Sequence, residues 1–274
     1  MKLIDIGVNI LNPTYDKDRG EIISLAREAG VSPLIISSST EGECIKAALY
    51  AEKYNAEEPG SLYIKAGVHP HETRNCNNNT LDCLRDLIKE KGELIKAIGE
   101  CGLDYNRDFS PRDIQRKWFR KQAELASEFS LPLFIHERDA HDDLIIILND
   151  HISSVPAVVI HCFTGNRDQL ERYLSLGFYI GITGWISDPK RGKELRELVK
   201  IIPSDRLMIE SDGPYLLPGN IPFKVKNKRN EPKFLPYILD TIAELLGKDN
   251  EVLAGETYKN SLRFFGIGEN NGKR

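Results

Sequence analysis

The chain has no apolar run long enough to span a bilayer, and Met1 leads directly into a strand-like run with no signal peptide before it. A membrane span is therefore not expected. Cysteine is sparse. Cys44, Cys76, Cys83, Cys101 and Cys162 are odd in number and contain no C-x-x-C pair, so they read as reduced thiols of a reducing compartment, with the cytoplasm as the expected location. There is no basic excess either: 37 Lys and Arg stand against 41 Asp and Glu, a formal net charge of −4. That balance excludes coating of nucleic acid by bulk attraction and requires a local basic patch for any such contact. No Gly-rich dinucleotide fingerprint follows the first strand, and neither a low-complexity tract nor a composition shift divides the chain. What is present is 274 residues, 41% apolar and 28% charged, enough for one globular domain over 1–274 with ample core.

Short apolar runs alternate with helical stretches. The strand candidates are Leu3–Val8, Pro33–Ser37, Leu62–Val68, Leu94–Gly99, Pro132–His136, Ala157–His161, Phe178–Ile182 and Leu207–Glu210. Helix candidates lie between them near Asp16–Ala29, Glu41–Tyr54, Thr80–Lys91, Pro111–Phe129, Ala140–Asn149, Arg167–Ser175 and Lys190–Ile201. Two more follow near Lys233–Leu246 and Glu251–Phe265. The fourth helix opens with Ser110 as a cap, Pro111 in the first turn and Asp113 completing a capping-box pattern. Eight strands interleaved with helices predict an α/β fold with a parallel sheet, and eight is the number that closes a (β/α)₈ TIM barrel. Counting also allows an open doubly wound sheet, which the missing fingerprint weakens. The one long connection, Pro214–Pro232, holds four prolines and the basic run KVKNKR.

The chemistry sits where strands end. In LIKAIGECGLD, Leu94–Asp104, an apolar strand stops on Glu100 and meets a turn signal at Gly102, with Asp104 beyond. A carboxylate there is poorly solvated unless a cation or proton neutralises it. His69 and His71 follow the third strand, His136 the fifth, His161 the sixth, and Glu210-Ser211-Asp212 the eighth. Four of the six histidines thus stand at carboxyl ends of strands, which a closed barrel gathers onto one face. The expected metal set is Glu100, His136, His161 and Asp212. A single histidine at a strand end is more often a hydrogen-bonded loop residue than a ligand, so the joint pattern carries the argument. His69 and His71 face one way on an extended segment, where they suit chelation, a phosphate, a leaving group or simple packing about Pro70. His141 and His151 read as solvated. Cys101 and Cys162 each follow a proposed ligand, so alternation points both thiols outward as small hydrophobes.

Taken together these segments resemble the TatD family of metal-dependent deoxyribonucleases. The resemblance runs through DIGVN (Asp5–Asn9), AGVHPH (Ala66–His71), IGECGLDYNRD (Ile98–Asp108), FIHERDAH (Phe134–His141) and VIHCFTG (Val159–Gly165). It continues through YIGITGW (Tyr179–Trp185), ESDGPYLLP (Glu210–Pro218) and KRNEP (Lys228–Pro232). It implies a (β/α)₈ barrel of the amidohydrolase-like group that hydrolyses phosphodiester bonds in DNA. It places Glu100, His136, His161 and Asp212 at the family's metal positions, and His69 and His71 near substrate. One departure stands out: where many relatives carry D-x-H-x-H on the first strand, Gly7 and Asn9 stand here, the form of a G-V-N branch. That weakens the case for a tightly held binuclear zinc centre.

The expected mechanism has one or two divalent cations held by those four residues, Mg²⁺ or Mn²⁺ favoured with Zn²⁺ as an alternative. Asp212 would accept the proton of the attacking water, and Glu100 would bridge a second ion. Substrate contacts are expected from His69, His71, Arg138, Lys226, Lys228 and Arg229, with Lys224 in the same basic run. Tyr105, Trp185 and Tyr215 would offer stacking surfaces. The resemblance favours 3′→5′ exonuclease action on single-stranded DNA, with RNA also possible, in repair or turnover. No membrane or obligate protein partner is expected. The rivals are a metal-dependent amidohydrolase or deacylase on the same barrel, and a non-catalytic nucleic-acid-binding barrel that has lost its metal.

Overall fold

A computed structural model describes residues 1–268. Eight strands follow one another around a sheet: β1 (Leu3–Val8), β2 (Val31–Ile36), β3 (Leu62–Ala66), β4 (Ile95–Asp104), β5 (Leu133–Arg138), β6 (Val158–Ile160), β7 (Tyr179–Ile182) and β8 (Leu207–Ile209). Every neighbouring pair is parallel and the spatial order is the chain order. β8 returns to β1 just past its end, where Asp212 N–H donates to the Gly7 carbonyl (2.9 Å) and Asn9 N–H to the Gly213 carbonyl (2.8 Å). The expected (β/α)₈ barrel is what forms. Helices α1 (Arg19–Glu28), α2 (Glu41–Asn55), α3 (Asn78–Lys91), α4 (Arg112–Phe129), α5 (His141–Asn149), α6 (Arg167–Ser175) and α7 (Lys193–Leu198) lie between strands. α8 (Leu235–Leu246) and α9 (Asn250–Phe265) follow the last strand. None of the described helices is long and apolar enough to cross a membrane.

Alternation along the strands builds two cores. Residues such as Leu34, Ile36, Ile64, Leu133 and Ile135 pack outward under the helices. Ile4, Ile6, Ile35, Ala97, Phe134, Val159 and Met208 fill the bore, closed at its amino end by Tyr179 with Phe264 and Phe265 of α9. Each large side chain so buried contributes about 1.5–3 kcal/mol, enough for the bore to act as a rigid platform under the mouth.

The departures from expectation concentrate at the strand ends. β4 does not stop at Glu100; it runs on to Asp104. Between Ile98 and Cys101 its register with β5 advances three residues against two, from Ile98↔Leu133 to Cys101↔Ile135. That bulge re-aims the inserted residue. Gly99 (φ 151°) and Gly102 (φ 137°) make it possible, because a Cβ at either would lie 2.4 Å from the Phe134 carbonyl oxygen or 2.0 Å from that of His136. The turn signal at Gly102 was therefore a close strand approach. β5 likewise carries past His136 to Arg138. At α4 the cap is Pro111, with no side-chain hydrogen bond. Ser110 is otherwise engaged: its hydroxyl donates to the His71 carbonyl (2.8 Å) and accepts from Arg74 N–H (3.0 Å).

Candidate metal centre and active site

The bulge turns Glu100 into the barrel mouth, where it meets imidazoles from three other connections. Glu100 Oε1 lies 2.8 Å from His161 Nε2, 3.1 Å from His136 Nδ1 and 3.1 Å from His69 Nε2. His136 Nδ1 is in turn 3.3 Å from His161 Nε2 and 3.3 Å from His69 Nε2. Nitrogen atoms that face one another around one carboxylate oxygen are disposed as ligands about a cation. The donor atoms of Glu100, His136 and His161 all lie within 4.8 Å of one another, as do those of His69, His71 and His136. The donor set present thus fits a divalent ion.

The surroundings polarise these groups. Burial opposes charge on His161, but the carboxylates of Glu100 and Glu210 outweigh it and hold the imidazole well above its ordinary pKa. Burial also opposes charge on His136, where hydrogen bonds to Asp104 and Glu100 reverse the balance and raise it. Glu100 stays well below the carboxylate range despite burial, because His161, His136 and His69 all stabilise its anion. His69 goes the other way: burial and the neighbouring His136 depress it to about 4, which keeps it neutral and able to ligate.

Asp104, one strand turn beyond Glu100, fixes the rings from behind. Its Oδ2 meets His71 Nε2 at 2.6 Å and His136 Nε2 at 3.2 Å, while Oδ1 accepts from the backbone N–H of Asn106 and Arg107. Two buried glutamines of α4 hold the loops in place. Gln115 bonds both backbone groups of Asp104, and Gln122 both of Val68, next to His69. Such outer partners set ligand orientation. Sequence reading missed Asp104 as a site residue; its place four residues past Glu100 on the same strand, and so on the same face, was the available signal.

On the opposite wall, Asp212 lines the same cavity and its Oδ1 accepts from Asn9 Nδ2 (3.3 Å). It does not join the close donor cluster, and burial pushes its carboxyl upward. Asn9, standing where a histidine was the alternative, therefore orients an acid. At Gly7 a Cβ would sit 2.5 Å from Glu210 Oε2, so a side chain there would have to displace that carboxylate. Asp5 accepts from Ser211 N–H (2.9 Å) and Ser211 Oγ, and burial lifts it to about 7.

The cavity encloses about 600 Å³ and also exposes Arg107, Arg138, Arg191, Trp185 and Tyr215. Arg138 Nη1 donates to Thr164 Oγ1 (2.5 Å), and its guanidinium carbon lies 5.5 Å from the Trp185 ring centre, with Arg191 at 5.8 Å. The KVKNKR run lies outside the cavity lining. Lys226 and Lys228 are exposed but do not line the cavity. Arg229 forks onto Asp18 (2.6 and 3.0 Å), pairs with Glu231 (2.7 Å) and covers the Tyr15 ring, so it straps the long loop to α1. Arg107 and Arg191, which sequence reading passed over, supply the basic lining from the loops after β4 and β7. Tyr105 is committed to Asp143 (2.5 Å) and covered by Arg112, whereas Phe109, 51% exposed, leans edge-on against His71. Cys101 faces outward as expected. Cys162 does not: β6 ends at Ile160, alternation ceases, and Cys162 turns to line the cavity at φ 45°. His141 is half-buried against Tyr173 rather than solvated, and His151 is half-buried too.

Fold and mouth together define a hydrolase of the (β/α)₈ barrel class. Residues 4–266 match the family model described as TatD related DNase, and the chain belongs to that family. It is 43% identical over 265 residues to a protein of Rahnella sp. named 3′-5′ ssDNA/RNA exonuclease TatD, covering 97% of this chain and 98% of that one. It is 44% identical over 265 residues to the protein of the same name from Erwinia tasmaniensis, covering 97% of this chain and 100% of the relative. A TatD family hydrolase structure from Entamoeba histolytica superposes with a TM-score of 0.89 at 27% identity, over 97% of this chain and 99% of that one.

Proposed function

We propose that this protein is a metal-dependent 3′→5′ exonuclease that trims single-stranded DNA, and RNA as well. The observation that carries the reading is the convergence of three imidazole nitrogens on Glu100 Oε1 within 3.1 Å, inside an arginine-lined cavity. Polarity and strand type rest on the names of the relatives above. Glu100, His136 and His161 hold a divalent cation, with His69 beside them and Asp212 across the cavity. When bound, that cation supplies charge neutralisation at the scissile phosphate and lowers the pKa of water. The nitrogen-rich donor set suits Mn²⁺ or Zn²⁺, whereas Mg²⁺ would favour more oxygen donors than these residues offer.

The remaining work belongs to side chains. Asp212, aimed by Asn9 and raised by burial, accepts the proton of the attacking water. His71, held by Asp104 at 2.6 Å, protonates the departing 3′ oxygen. Arg138 forks the phosphate at the cleaved bond, and Arg107 and Arg191 engage the flanking backbone. Trp185, Tyr215 and Phe109 offer faces on which unpaired bases stack. Metal-stripped protein refilled with single ions and assayed on 3′- and 5′-labelled single strands tests this. Stepwise loss from the 3′ end only with metal supports the reading. Undiminished cleavage in excess chelator, or release from the 5′ end, contradicts it.

A further inference from the structure

The reaction above makes no use of Lys65, yet it is a fully buried cation directly beneath the mouth. On β3 its neighbours Ile64 and Ala66 pack under the helices, while Lys65 turns into the bore with 0% exposure. Its ammonium donates to the Ile6 carbonyl at 2.8 Å and stands 3.5 Å over the centre of the Phe134 ring. Removing an ammonium from water costs several kcal/mol, and one carbonyl and one ring face recover only part of that. The rest must come from negative charge nearby. Glu100, Glu210, Asp5 and Asp212 act on Lys65 in that order, although among the described residues none forms an ion pair with it. Lys65 therefore serves the acidic cluster as a whole.

Gly7 shows where that charge is placed. A Cβ built there would lie 2.5 Å from Glu210 Oε2, 3.3 Å from the Phe134 ring and 3.4 Å from Lys65 Nζ. The small space over Gly7 is bounded by a carboxylate oxygen on one side and an ammonium on the other. Glu210 Oε2 is buried and has no hydrogen-bond partner among the described residues, with His161 Nδ1 standing off at 3.4 Å. An orphaned anionic oxygen is tolerated only where positive charge stands close.

We propose that Lys65 is the resident cation of this site, taking beside Glu210 and Gly7 the electrostatic place of a second divalent ion, so that the protein binds one metal ion per chain. The proposal rests on the Glu100–His136–His161 cage being the metal site. It makes Lys65 a positioning residue: it stands opposite Glu210 across Gly7 and leaves the exchangeable ion to the cage. Neutralising Lys65 while keeping its bulk should tighten binding of the first ion, because one like charge disappears. Shortening it as well should open an oxygen-lined place for a second ion.

Equilibrium dialysis against Mn²⁺, with bound metal counted per chain, tests this on wild type, Lys65→Met and Lys65→Ser. The expected result is one Mn²⁺ for wild type, one bound at least tenfold tighter for Lys65→Met, and two for Lys65→Ser. Wild-type stoichiometry and affinity in both variants would overturn the role of Lys65 and leave the cage intact. Two ions in wild type would do the same. No Mn²⁺ in wild type would overturn the cage and, with it, this proposal. If Lys65→Met folds only with Mn²⁺ present, or folds once Glu210→Gln is added, the charge-balancing role stands. Failure of Lys65→Met with Mn²⁺ and of the double variant alike would show that the lysine stem matters for packing alone, and would overturn it.

Discussion

Along β4, β5 and β8 the inward-facing row changes character within a short step: Ala97, Phe134 and Met208 lie in an apolar bore, and Glu100, His136 and Glu210 stand just above them. Below, the side chains pack apolar against apolar, Lys65 over the Phe134 ring being the charged exception. Above, carboxylates and imidazoles crowd to within 3.3 Å of one another, and Glu210 Oε2 has no hydrogen-bond partner among the described residues. The lower layer is stable on its own terms and can therefore hold the upper layer in an arrangement that is complete only with a cation. Phe134 joins the two, packing in the bore while its ring supports Lys65 and lies 4.9 Å from that of His161.

The comparison breaks most sharply at Glu100. Glu100→Ala should lower kcat by at least about 10³-fold while thermal unfolding stays cooperative, since the bore is untouched. Comparable loss of both activity and fold would mean mouth and floor are not separable. The floor gives the converse. Met208→Ala, fully buried in the bore, should cost about 2–5 kcal/mol of stability with kcat at permissive temperature within about twofold of wild type. Denaturant unfolding beside steady-state assays checks it, and a collapse of kcat would tie the chemistry to the floor directly.

How far this division was legible depends on the residue. Glu100, His136 and His161 were readable because each ends an apolar run, and barrel closure alone carries them to one rim. Their close mutual approach was not, because it depends on a bulge whose glycines looked like a turn. Gly102 signals a tight place in either case; only the backbone of β5 shows that the tight place is His136. That Lys226, Lys228 and Arg229 lie apart from the cavity was hidden for a related reason. A basic run advertises charge, but Asp18 and Glu231, which claim Arg229, are distant in sequence or hidden beside it. Cys162 misled because alternation was extended past the true end of β6.

Acid–base behaviour sharpens the contrast further. His136 and His161 bind protons more tightly when folded, so the metal-free chain has that stabilisation in full below pH 6.5 and loses it as pH rises through their raised values. Asp5, at about 7, and Asp212 act in the same direction. His69, depressed to about 4, opposes them only below pH 6.5, and Lys65, depressed to about 8, only above pH 8. Between pH 6.5 and 8 the Tm of metal-stripped protein should therefore fall, by about 2–4 °C for each kcal/mol of lost pairing. With Mn²⁺ present the trend should flatten or reverse, because the metal needs neutral imidazoles. A Tm rising with pH in the stripped protein would contradict the charge assignments.

Smaller effects distinguish the cavity wall from the outer loop. Arg138→Ala should raise KM for an oligonucleotide about tenfold and reduce the slope of log K against log salt by about 0.7. Charge reversal at Lys226 and Lys228 should change KM by less than about threefold, since neither lines the cavity. A larger effect there than at Arg138 would return the binding surface to the long loop.

The central claim is that one cation seats among Glu100, His136 and His161, and anomalous diffraction from Mn²⁺-soaked crystals addresses it without reference to turnover. The account predicts the strongest peak at about 2.0–2.3 Å from Glu100 Oε1, His136 Nδ1 and His161 Nε2. A strongest peak elsewhere, or none above noise at saturating Mn²⁺, would contradict it.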